Sequence, residues 1–128
     1  MHPFITDLLT LLKRQAIVRN IRVVSLDETP SGRIEAKIRC QLSTPFQFQI
    51  WLHNEPDGID YAYQLFTSTP LLRLDNTPHY PKISTAPHHF HDENGVVGPS
   101  PLTGDPLIDL PFVLRIVETW LQRHSRNV

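Results

Sequence analysis

From Arg33 to Leu42 the chain alternates without a break between apolar and polar residues. Ile34, Ala36, Ile38, Cys40 and Leu42 form one set; Arg33, Glu35, Lys37, Arg39 and Gln41 form the other. A period of two sends the sets to opposite faces of a β-strand. One face is therefore buried and the other is wet or bound to something. Parallel sheets are covered on both faces and read as continuous apolar runs, so this strand belongs to an antiparallel sheet with a single apolar side. Such a strand needs neighbours on its edges and a cover on its apolar face.

The flanking sequence supplies both. Phe46, Phe48, Ile50 and Leu52 alternate with Gln47, Gln49, Trp51 and His53, and Asn54 to Gly58 is a turn. Further strands are expected over 60–67 and 71–75, and a β-branched run over 17–27 precedes the turn at Pro30-Ser31-Gly32. Phe4, Leu8, Leu11 and Leu12 recur at helical spacing over 3–15, with Pro3 suited to the first turn. Near the other end, Val113, Ile116, Val117, Trp120 and Leu121 form a second helical stripe. Asp109 reads as its N-cap and Pro111 as part of its first turn, with Arg123, His124 and Arg126 at its C-terminal end. The expected fold is α+β: an antiparallel meander of about five strands, with an N-terminal and a C-terminal helix packed on one face. The strand over 33–42 should lie under Val113, Ile116, Val117 and Trp120. Residues 1–128 are expected to form a single domain, with a long Pro/His-rich loop at about 76–109.

Composition narrows the function. Cys40 is the only cysteine, so no internal disulfide forms, and its place on the apolar face makes it a buried hydrophobe. The net charge of −1 excludes a strongly cationic nucleic-acid binder but leaves room for a local basic face. No apolar run spans a membrane and no signal-peptide pattern opens the chain, so a cytoplasmic location is expected.

The chemistry concentrates in residues 73–91, which hold four of the seven histidines, namely His79, His88, His89 and His91. Arg73 and Asp75 precede them, two apart and so on one sheet face. Eight of the 12 prolines fall between Pro70 and Pro111 and stiffen this part of the chain. His89 and His91 point the same way if the segment is extended. Tyr61 and Tyr63 on the preceding strand are placed to reach the same patch. Three chemistries fit. In the first, Asp75, His79, His88 and His91 cleave RNA by general acid–base catalysis, with Arg73 on the phosphate or on Asp75. Arg22, Arg33, Lys37, Arg39 and Tyr63 would then guide the RNA. In the second, imidazoles and Asp75 bind a metal. No recognised spacing such as His-Glu-x-x-His occurs, and acidic or cysteine ligands are sparse, so no metal and no other cofactor is expected. In the third, the segment is a non-enzymatic surface that docks a protein.

The residues Arg73-Leu74-Asp75-Asn76-Thr77-Pro78-His79 and Thr85-Ala86-Pro87-His88-His89-Phe90-His91 also resemble a known signature. It is the Arg-x-Asp-Asn-x-Pro-His and Pro-His-His-x-His pattern of the TumE-type proteins, small toxins of toxin–antitoxin pairs found mostly in bacteria and archaea. Tyr61-Ala62-Tyr63-Gln64 resembles the aromatic strand before it, and Tyr80 stands where the family often has a second His. The likeness implies a toxin with a cognate antitoxin, a helix-turn-helix protein encoded beside it. Joined to the acid–base chemistry above, it gives the expected function: a toxin acting as a ribonuclease, without a metal.

Overall fold

The computed structural model describes residues 2–125. The chain runs through α1 (Pro3–Lys13), five strands β1 (Arg19–Glu28), β2 (Ile34–Gln41), β3 (Gln47–Glu55), β4 (Gly58–Phe66) and β5 (Pro70–Asp75), two short strands β6 (His89–His91) and β7 (Val97–Pro99), and α2 (Pro106–Ser125). Every strand pairs antiparallel with the next, giving one sheet in the order β1 to β7. The fold is α+β and the sheet a meander, but with seven strands in place of about five.

The two additional strands lie inside the segment expected to be loop. Asn94-Gly95 turns the chain between them, and Asp92 fastens the turn by accepting from the Asn94 and Val96 amides, both at 2.9 Å. Each strand has only three residues, too few for a period of two to show. The C-terminal helix also starts earlier than Asp109. Asp105 accepts the Leu107 amide at 3.0 Å as the N-cap, and Pro106 opens the first turn. Asp109 is thus inside the first turn and Pro111 inside the helix body. Arg126 lies outside the described residues.

The alternation in β2 holds throughout. Ile34, Ala36, Ile38, Cys40 and Leu42 are buried, whereas Arg33 and Glu35 are exposed and Lys37, Arg39 and Gln41 are half-buried. Register carries that division across the sheet. Ile38 pairs with Ile50, Ile50 with Tyr63, Tyr63 with Leu74 and Leu74 with Phe90 on the apolar face. Leu8 and Leu12 of α1 and Leu110, Val113, Leu114 and Val117 of α2 join this face in one core. The cover over β2 differs from expectation. Ile5 of α1 packs with Ile34 and Ala36, while α2 contacts β4 and α1. Val113 and Val117 are buried, but Ile116 and Trp120 are only half-buried at the margin. No helix among the described residues is long and apolar enough to cross a membrane.

Candidate functional site on the open face of the sheet

The face away from the helices carries a second set of registered rows. Arg39 lies beside Gln49, Gln49 beside Gln64, Gln64 beside Arg73 and Arg73 beside His91. One step along, Lys37, Trp51, Ala62, Asp75 and His89 form the next row. Neighbours in these rows bond to each other. Arg39 donates to the Gln49 carbonyl oxygen at 2.7 and 3.2 Å, and Arg73 Nη1 donates to Gln64 at 3.0 Å. The same arginine donates from Nε to Asp75 Oδ2 at 2.7 Å.

Asp75 is the hub. Only 2% of it is exposed. Its Oδ1 accepts from the Thr77 amide at 3.0 Å and the Thr77 hydroxyl at 2.8 Å, which orients the carboxylate from the loop side. Asn76 secures the strand end from beneath, accepting the Tyr61 amide at 2.9 Å and donating to the Ile59 carbonyl at 2.8 Å. Burial works against ionising Asp75, but donation from Arg73 and Thr77 and the field of His89 outweigh it, holding the carboxyl below its ordinary range.

β6 brings two imidazoles onto this carboxylate. His89 is 1% exposed, and its Nδ1 lies 3.0 Å from the Pro87 carbonyl. A carbonyl only accepts, so Nδ1 carries the proton. His89 Nε2 stands 2.8 Å from Asp75 Oδ1, yet it makes no aligned hydrogen bond. The approach is close, but the outward direction of Nε2 misses the oxygen. His91 Nε2 lies 3.6 Å from Asp75 Oδ2, with 26% of the side chain exposed. Burial lowers the His91 pKa; Asp75 opposes that, while His89 and Arg73 add to it, so the ring is biased towards the neutral form. Tyr80 covers the pair, its ring 4.7 Å from that of His89 and 5.8 Å from that of His91. Beside them a concavity of about 450 Å³ is lined by Gln64, Arg73, His91, Asp92 and Glu93 among others.

The other expected site residues are placed differently. His88 does not join Asp75. It lies on the helix-covered side, where Nδ1 is 2.7 Å from the Tyr61 hydroxyl and its ring stacks on Tyr61 at 5.8 Å. The reason is parity: His88 and His89 are adjacent in an extended chain and point to opposite faces. The same rule removes Tyr63 from any RNA surface, because it is fully buried on the apolar face. Tyr61 is buried there too, and burial raises both phenols well above their ordinary range. His79 is exposed and makes no hydrogen bond or ion pair among the described residues; its neighbour Tyr80 sits on the cluster. Arg22, Lys37 and Arg39 lie on the open face, Arg22 paired in register with Arg39. Arg33 reaches Glu55 at 3.9 Å at the far end of β2. His89, Asn76 and Thr77 are the contributors that the expected site omitted.

An apolar groove of about 480 Å³ along α2, lined by Leu72, Phe90, Phe112, Ile116 and Trp120 among others, lies on the opposite side of the sheet from Asp75. Its rim carries Glu93, Arg115, Arg123 and His124, with Glu93 accepting from Trp120 at 2.8 Å and lying 3.9 Å from His124. A family model described as Toxin TumE matches residues 8–121. The chain belongs to the TumE toxin family. That makes it the toxin type of a toxin–antitoxin module and implies an antitoxin partner. No curated protein and no solved structure matches the chain. The matched region contains the whole sheet and the Asp75 cluster.

Proposed function

We propose that this TumE-family toxin cleaves RNA at the Asp75 cluster. The observation behind this reading is the meeting of two imidazoles, a carboxylate and a guanidinium on the polar face of the sheet, in line with Gln64, Gln49 and Arg39. Cleavage of an RNA phosphodiester by its own 2′-hydroxyl needs a proton acceptor, a proton donor and a cation at the phosphate. Arg73 is 41% exposed, and with Nε and Nη1 engaged it keeps further donors for a phosphate. His91 is the imidazole of the cluster open to substrate, and His79 on the adjoining loop is the second proton carrier. One takes the 2′-hydroxyl proton as the new P–O2′ bond forms; the other gives a proton to O5′ as the P–O5′ bond breaks. Buried His89 and Asp75 position this pair. His88 acts indirectly, bracing the loop through Tyr61.

Arg39, Lys37 and Arg22 extend the positive row across the sheet and guide the RNA backbone, with Arg33 at its far end. Binding that depends on these contacts weakens with added salt. Asp92 and Glu93 line the concavity beside His91, so that recess suits a base or ribose better than a phosphate. The partner antitoxin is of the helix-turn-helix type.

Inducible expression tests the reading, with growth and total RNA followed together. Wild type should stop growth and fragment RNA; His91→Ala, Arg73→Ala and His79→Ala should lift both effects with the far-UV spectrum unchanged. Growth arrest with intact RNA would refute cleavage. Folded variants that remain fully toxic would transfer the function to a non-enzymatic docking surface.

A further inference from the structure

We infer that Asp75, His89 and His91 bind one divalent transition metal ion of the zinc type. The inference rests on the cluster being the functional site, though not on RNA being the substrate. The donor atoms of the three side chains all lie within 4.8 Å of one another. Zinc bonds imidazole nitrogen at ~2.0–2.1 Å and carboxylate oxygen at ~2.0–2.2 Å, so two donors on one tetrahedral ion stand about 3.3 Å apart. The observed separations, 2.8 Å from His89 Nε2 to Asp75 Oδ1 and 3.6 Å from His91 Nε2 to Asp75 Oδ2, are to the two oxygens of one carboxylate and are short enough for small side-chain movements to bring all three groups onto one ion.

The second and independent sign is the state of His89. Its Nε2 is buried and has no hydrogen-bond partner. Its Nδ1–H is committed to the Pro87 carbonyl. In the neutral ring, the Nε2 lone pair then lies 2.8 Å from a carboxylate oxygen without pointing at it, and two acceptors this close repel unless something positive sits between them. A buried polar atom left this way is costly. A metal ion removes the conflict, and the bond from the far ring nitrogen to a backbone carbonyl is the usual support for a metal-binding histidine. Asp75 is supported in the same way, by Thr77 on Oδ1 and Arg73 on Oδ2.

Two imidazoles and one carboxylate favour zinc and its neighbours in the first transition row over magnesium or calcium, which prefer all-oxygen sites. Three protein ligands leave a position for water, and the concavity beside His91 gives the ion a way in. The guanidinium of Arg73 opposes a divalent cation, which weakens binding and favours an anionic group such as phosphate as a further ligand. An ion held by these residues would supply a proton acceptor beside the substrate in place of the free His91 imidazole.

The test uses the full chain, stripped with a chelator and dialysed. Cobalt is added while the visible spectrum is followed, and zinc is then used to displace it. One cobalt per chain is expected, displaced by one zinc, with a higher melting temperature in zinc. Asp75→Asn and His91→Ala should each weaken binding about tenfold or more, as losing even a supporting group does; His53→Ala should not. Because variants of a buried cluster can unfold, ring-nitrogen NMR of the wild type serves as a second measurement. Zinc should shift the Nε2 resonances of His89 and His91. Absence of stoichiometric binding, shifts confined to other histidines, or folded variants with unchanged affinity would overturn the inference. Metal binding without RNA cleavage would leave it standing and refute the ribonuclease reading. RNA cleavage by metal-free protein that binds no metal would do the reverse.

Discussion

Removing the Asp109 carboxylate should loosen the turn that leads into α2, by an amount the structure bounds. Asp109 is 1% exposed and accepts the Thr103 amide at 2.9 and 3.1 Å, the Thr103 hydroxyl at 2.9 Å and the Gly104 amide at 2.8 Å. Asp109→Ala strips all three donors of their acceptor. Thr103 is exposed, so its hydroxyl turns to water. Two backbone amides remain, at about 1–3 kcal/mol each when left unpaired. Loss of an acidic group from the first helical turn adds about 0.3–1 kcal/mol. The expected loss is therefore about 2–7 kcal/mol, with water entering the vacated space setting the lower end. Against a total of ~5–15 kcal/mol that is a large share. Asp109→Asn keeps one accepting oxygen and should lose about 1–2 kcal/mol. Urea unfolding followed by far-UV circular dichroism measures both. An alanine variant within about 0.5 kcal/mol of wild type would refute the hydrogen-bond argument. Equal losses for alanine and asparagine would show that charge, not bonding, is what Asp109 supplies.

Three other expectations follow from the core. Ile38→Ala should cost ~2–5 kcal/mol, because Ile38 is fully buried at the centre of the sheet, while exposed Glu35→Ala should stay within about 0.5 kcal/mol in the same unfolding assay. Burial pushes the Cys40 thiol up to about 11, so at pH 8 almost none is thiolate; a thiol reagent should label the native protein only as fast as it unfolds, and prompt labelling would contradict the burial. Gly104 has φ +99°, and a Cβ there would stand 3.2 Å from His88 Cε1, so Gly104→Ala should lower the melting temperature and shift the His88 ring resonances.

The sheet from β2 to β5 was legible because each strand is long enough to show its period, and β2 alone fixed which face is apolar. The same parity, extended from Leu65 to Tyr63 and Tyr61, also removes Tyr63 from the polar face, although Tyr63 is near the histidines in the fold. Other features were not available. Asp75 meets His89 by register across 13 intervening residues, and no motif spacing encodes that. Which of His88 and His89 faces the carboxylate depends on that register, since a slip of one residue exchanges them. At the start of α2, Asp105-Pro106 and Asp109 with Pro111 offer competing start signals, and only the Leu107 bond to Asp105 decides between them.

The order of the sheet has a consequence for its dynamics. Five consecutive strands and both helices share the large core, whereas β6 and β7, three residues each, pair with the sheet along β5 and are tied to α2 through Glu93 in their turn, which accepts from Trp120 Nε1 at 2.8 Å. Native-state opening proceeds in cooperative units whose free energies differ, and a terminal hairpin of this size belongs to the low end of that scale. Peeling it away exposes Phe90 and breaks the bond from the Ser100 amide to Thr85, but leaves the pairing of β1 to β5 intact. Amide hydrogen exchange at His89 and His91 should therefore outpace that at Ile50 and Tyr63. Opening of this kind would keep the scaffold while parting both histidines from Asp75, so a partner that captured it would silence the proposed site without unfolding the protein.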